Sequence, residues 1–307
     1  MKALAAYITR GYLSAALVAV AAAAAALFFA PLGYVSGGAV ALMTLVAGPA
    51  SGLVVVAIAA VVTMLVGLFA TGDVAIGLGF AAVVWGPAWL VATVLQRTVS
   101  LPLAVTAAAG LGMLLILGIH AAVADPAAFW ESLLGPLFAA ALEQQGGGVD
   151  PSAEEAMQAL AGVMTGALGA GVTLSLALTL FLARWWQAML QKPGGFGAEF
   201  HALRLDDRLA WVALAVAVAG AVLPAGPGVV AGHLTLVLVV LYLLQGVAVV
   251  HGAAGARGLG WQWLVLLYAL LLLVPYTIPV VAALGFLDTW LDVRRRLAPA
   301  GNGPQDG

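Results

Sequence analysis

Few side chains in this sequence could do chemistry, and their spacing limits each of them. There are four histidines. His233 and His251 share one apolar run, where helical geometry sets them roughly 27 Å apart, so no single ion joins them. His120 and His233 both fall near the outer ends of their runs and could meet, although separate histidines at interface depth is the plainer reading. No H-E-x-x-H stands in the chain, nor a G-x-S-x-G with acid and base partners. Lysine occurs only as Lys2 and Lys192, so a phosphate-binding G-x-x-x-x-G-K is missing and the chain is not its own ATPase. Cysteine is absent, which removes disulfides, thiolate metal sites and cysteine nucleophiles. The expectation is a protein that is not an enzyme and carries no metal or cofactor.

Carboxylates give two pairs. Asp206 and Asp207 precede an apolar run and read as a helix cap complementing its dipole. Asp288 and Asp292 stand one turn apart near a helix C-terminus, the unfavourable end for anions. Arg296 suits Asp292 at i, i+4; Asp288 lies nearer the membrane and needs a cation from elsewhere, with Arg204 or Arg208 as candidates. Inside the apolar runs the polar side chains are Tyr242, Gln245, Tyr268, Tyr276 and Thr277. They are the candidate ligand contacts, and hydrogen bonding between helices would account for them equally well.

The elements that must position these residues follow from composition. Of 307 residues, 64% are hydrophobic and 8% charged, against about a quarter charged in soluble domains. Eleven basic and thirteen acidic residues cannot solvate a shell around a chain this large. The class is an all-α polytopic transmembrane bundle in the lipid bilayer, with about 8–10 membrane segments at roughly 20 residues each. A net charge of −2 leaves no basic patch for nucleic acid.

Gly11 to Gly72 carries no charge and holds three segments. Leu13–Ala30 reads as a retained first span ended by Pro31, Ser36-Gly37-Gly38 opens a short middle piece, and Gly48-Pro49 turns the chain into the next span. Pro87 should kink the span after Asp73. Asp125–Glu155 is an acidic amphipathic excursion broken at Gly146–Gly148, and Pro151 suits a helix entry. A span should end near Ala183, before the basic loop Arg184–Arg208, in which Phe196, Phe200 and Leu203 predict a short surface helix. The last run, Trp261 to Arg296, is interrupted at Pro275-Tyr276-Thr277-Ile278-Pro279 and reads as a broken hairpin. With Lys2, Arg10, Arg97, the basic loop and Arg257 inside, both termini are expected in the cytoplasm and Asp125–Glu155 outside. Residues 1–296 read as one membrane domain and 297–307 as a disordered tail.

The stretches Leu284–Arg296, Leu241–His251 and Phe196–Arg204 resemble the YybS-like family of uncharacterised bacterial membrane proteins, most specifically in the pattern Gly285, Asp288, Asp292, Arg294. Val293 stands where such proteins often have an aromatic residue. The resemblance implies the bacterial cytoplasmic membrane; the charges themselves make Glu199, Arg204, Arg208, Asp288, Asp292 and Arg294 the candidate junction between the cytoplasmic loop and the C-terminal helix. The family is distantly similar to the substrate-binding S components of energy-coupling-factor transporters. That likeness implies a small-solute ligand, and a partner subunit docked on Ala15, Ala19 and Ala23. Two functions compete: a transport-type solute-binding protein, or a non-catalytic scaffold or assembly factor acting through the basic loop and C-terminus.

Overall fold

Prolines and glycines set where the helices stop. In the computed structural model α1 (Lys2–Ile8) and α2 (Tyr12–Ala26) part at Gly11. α3 (Leu32–Ala47) gives way to α4 (Pro49–Thr71) at Gly48, whose φ of 92° suits glycine. There follow α5 (Ala75–Phe80), a π-helical turn (Ala81–Trp85), α6 (Gly86–Thr98), α7 (Leu101–Ala122), α8 (Pro126–Gln144), α9 (Pro151–Gln191) and α10 (Gly195–His201). The chain continues through α11 (Asp207–Val222), α12 (Pro227–Ala256), α13 (Gln262–Leu273) and α14 (Thr277–Leu291).

The structure describes residues 1–144 and 151–293, among which every regular element is a helix. The expected break at Gly146–Gly148, the arginines Arg294, Arg295 and Arg296, and the tail 297–307 lie outside the described residues. Five helices are long and apolar enough to cross a membrane, Pro49–Thr71, Ala75–Thr98, Leu101–Ala122, Ser152–Gln191 and Pro227–Ala256. Four shorter apolar ones are α2, α3, α13 and α14. The protein is an all-helical, multi-pass membrane protein.

Three boundaries differ from expectation. α3 starts at Leu32, so Gly37 and Gly38 lie within it. There they serve close approach: a Cβ on Gly37 would sit 2.9 Å from the Thr179 methyl, and one on Gly38 3.2 Å from Trp186. α9 does not stop at Ala183 but runs 41 residues through Trp185 and Trp186 to Gln191, and turns only at Pro193-Gly194. α2 has 15 residues, roughly 22 Å, short of a bilayer core of about 30 Å.

The described chain divides into two compact units, and α7, α9 and α12 contribute to both. One unit comprises residues 1–108, 174–206 and those from 242 onward. In it Trp85 Nε1 donates to Ser36 Oγ at 2.9 Å, and Ser36 donates to the Ala19 carbonyl at 2.7 Å, all buried. This relay bonds α2, α3 and the π turn without charge. Ala15, Ala19 and Ala23 are buried, with Ala19 held by Ser36 of α3. The expected docking of a partner on these alanines is therefore corrected: their small face admits a helix of the same chain.

The second unit comprises residues 109–173 and 207–241. Glycine contacts recur there. A Cβ on Gly112 would strike Thr173 and the Gly169 carbonyl, one on Gly166 would lie 2.9 Å from the His233 ring, and one on Gly220 3.0 Å from Gly232 N. Between helices that meet the same apolar solvent outside as inside, close backbone packing replaces the hydrophobic drive.

Candidate functional site

A buried set of polar bonds in the first unit centres on Gln245. α12 and α14 cross at Gly246 and Gly285. A Cβ on Gly285 would collide with the Tyr242 carbonyl, and one on Gly246 with the Val281 carbonyl, so only hydrogen fits at either position. That approach brings backbone groups within reach of the fully buried Gln245. Its Oε1 accepts from Leu205 N–H at 2.8 Å, and its Nε2 donates to the Gly285 carbonyl at 2.7 Å and lies 3.4 Å from Thr289 Oγ1. One carboxamide thus ties α12 to α14 and to the loop before α11. Beside it Tyr242 stacks edge-on against Phe286, which stacks on Trp290.

The end of α14 is bound to the same loop. Arg204 Nη2 donates to the Thr289 carbonyl at 2.6 Å, and its Nη1 lies 3.8 Å from Asp292 Oδ2. Asp292 occupies the C-cap with φ 47° and is 39% exposed, whereas Asp288 one turn earlier is 1% exposed. Arg204 thus joins the loop to the end of α14 through Thr289 and Asp292. Arg208 belongs to the second unit, and Arg294 lies outside the described residues. Glu199 pairs with Arg184 at 2.8 Å rather than with Arg204.

α13 and α14 are parted at Val274–Tyr276, where Val274 is extended, as the prolines predict. At 12 and 15 residues, roughly 18 and 22 Å, neither completes a crossing. Near the end of α12, His251 meets Phe200 and His201, while Arg204 holds the end of α14. The intervening segment starts and finishes against one short loop, the behaviour of a broken, returning segment. Val247, Leu267 and Val281 form its apolar core, with Phe200 and Leu271 against them.

The five candidate ligand contacts therefore separate. Tyr242 and Gln245 lie together at the crossing; Tyr268 places its hydroxyl 3.3 Å from His251 Nε2; Tyr276 is 82% exposed at the break, with Thr277 half-buried beside it.

In the second unit His120 and His233 do meet. His233 Nε2 lies 2.7 Å from the Gly162 carbonyl, which can only accept, so Nε2 carries the proton. Its other nitrogen, Nδ1, lies 3.0 Å from His120 Nε2, so one ring donates to the other. Gly166 makes room for the His233 ring, and nearby Trp130 donates to buried Thr165 at 2.9 Å. Among the described residues no group of three His, Asp or Glu side chains could hold a metal ion.

A model for a family of predicted membrane proteins, DUF2232, matches residues 13–289. The chain belongs to this family. No curated protein and no solved structure matches it significantly. In this DUF2232 protein the match includes the whole Gln245 crossing and ends at Thr289, whose carbonyl takes Arg204. Sequence reasoning missed Gly246 and Leu205 as members of the site. The one signal for the crossing was the spacing of Gln245-Gly246 in an otherwise aliphatic run. Nothing marked the Leu205 amide, since every non-proline residue carries one.

Proposed function

We propose that this protein is a transport-type solute-binding membrane protein of the bacterial cytoplasmic membrane, in the manner of S components. One observation carries the reading: a broken apolar segment, α13–α14, rests on α12 by backbone contact and is latched by a single carboxamide. Discontinuous helices line the sites of many transporters, because interrupted backbone supplies donors and acceptors at membrane depth. Swinging α14 off α12 would free the Gln245 Nε2 donors and expose the Gly285 carbonyl, while Leu205 N–H stays on Gln245 Oε1. The set has donors and acceptors with no charge, which suits a small uncharged polar solute. The described conformation is the latched one.

The test is a thermal-shift screen of small polar solutes on the purified full chain, repeated on Gln245→Leu. A solute that raises the melting temperature of the wild type, and not of the variant, supports the reading. A wild type that binds none, including any carried through mild purification from native membrane, refutes it.

The scaffold reading rests on a different observation, the Arg204 junction between the basic loop and α14. Co-purification of another protein that is lost on Arg204→Ala, with no solute bound, would favour it.

A further inference from the structure

A cleft of about 330 Å³ opens in the first unit where α6 and α9 end. Its polar lining includes Gln96, Arg184, Gln187, Gln191 and Lys192, and its apolar wall Leu45, Leu95 and Val99. Arg184 is pre-oriented: Nε lies 2.8 Å from Glu199, Nη1 donates to Gln187 Oε1 at 3.3 Å, and Gln187 donates to the Leu45 carbonyl at 3.1 Å. Glu199 is thereby neutralised. Lys192 has no ion pair among the described residues, so the lining keeps a positive charge.

Two further features narrow the ligand. The last carbonyls of both helices lack intrahelical partners and carry partial negative charge, so they oppose a bare anion and welcome hydroxyl donors. The cleft's lining includes Arg184 and stands beside Trp185, residues of the kind that mark a membrane boundary, which suits headgroup level rather than open water. Its rim is also strained. Val99, 85% exposed, caps α6 with φ 51°, a conformation that glycine ordinarily supplies at this position and a β-branched residue resists. The backbone is held there with an isopropyl group facing the cleft mouth, as strained residues at ligand clamps are.

We propose that this cleft holds the headgroup of an anionic phospholipid bearing free hydroxyls. Its phosphodiester lies against Lys192 and Arg184, its hydroxyls reach the glutamines and helix-end carbonyls, and its first methylenes pass Val99 and Leu95. The probe is phosphatidylglycerol, with phosphatidylethanolamine as the zwitterionic control. In native mass spectrometry of the full chain, phosphatidylglycerol is retained in preference, and Lys192→Gln lowers that retention roughly tenfold through loss of a charge-assisted hydrogen bond. Arg184→Gln alone would strand Glu199, so the companion variant is Arg184→Gln with Glu199→Gln, which should show the same loss. Val99→Gly should leave the melting temperature equal or higher while reducing retention, a split that a purely structural Val99 would not give. Equal retention of the two lipids overturns the proposal, as does unchanged retention in either charge variant. Displacement of bound lipid by millimolar glycerol phosphate would assign the cleft to a soluble phosphate ester and overturn the lipid.

Discussion

The Gln245 crossing and the His120–His233 contact solve one problem with different chemistry. Each sits in helices that have few other polar side chains to answer them. At the crossing, a group that never ionises is answered by a backbone N–H and a backbone C=O, which the Gly246–Gly285 approach brings into range. In the second unit, two ionisable rings answer each other, and only the far nitrogen of His233 reaches backbone. Backbone partners cannot rotate away as side chains do, and only proline at position 205 would remove one of them. The first arrangement is thus rigid by construction, and the second depends on two side chains holding one tautomer.

The sharpest way to break this contrast is at the glycines. Gly285→Val forces a side chain into the Tyr242 carbonyl and should destabilise the protein by about 3 kcal/mol or more, seen as a large fall in detergent melting temperature. A small effect would mean that α14 does not press on α12 as closely as described. Next comes Gln245→Leu, which keeps the volume but leaves the Leu205 N–H without its acceptor in a buried place and takes from the Gly285 carbonyl its donor from outside the helix. A loss of about 2 kcal/mol is expected, and hydrogen exchange at Leu205 should rise. His233→Leu should be milder, about 1 kcal/mol, because His120 is partly exposed and its freed ring nitrogen can find water. If it equals Gln245→Leu, the two sites are not different in kind.

The smallest change is expected at Asp292, and Asp288 one turn earlier gives the contrast. Asp292→Asn removes only a long, half-exposed contact with Arg204 and should lie within about 0.5 kcal/mol of the wild type. Asp288→Asn alters a carboxyl that is 1% exposed and should cost more, about 1–2 kcal/mol. If the two variants melt alike, burial at Asp288 has no energetic meaning. Topology has its own test, since reporter fusions after Arg296 and within Gly146–Gly148 should give cytoplasmic and external signals respectively.

Much of the fold was legible because membrane helices announce themselves by uncharged length and stop at glycine and proline. Gly48-Pro49, Pro193-Gly194 and the Pro275 break all fall where the backbone ends a helix. The overrun of α9 shows the limit of that reading. Arg184, Trp185 and Trp186 signal the membrane boundary, yet a helix can leave the bilayer intact, and nothing before Pro193 obliges it to end. The site was only half legible. Gln245 stood out as polar in an aliphatic run, whereas depth allowed the meeting of His120 with His233 without favouring it over separate histidines. Which backbone groups would answer them depended on how closely the helices approach, and hence on glycines that look alike along the sequence.

The π turn before Pro87 has a consequence for how this protein can change length. In that turn Gly86 N–H reaches back to the Ala81 carbonyl, one residue farther than in an α-helix. The turn therefore holds one surplus residue in a helix that is otherwise regular on both sides. Removing Ala81 or Ala82 would absorb the surplus and leave Trp85 on Ser36 and Trp89 on the Pro49 carbonyl. Removing one residue from regular helix nearby would rotate both indoles by about 100° away from their partners. The two deletions shorten the chain equally, and only the first keeps the reading frame of the fold.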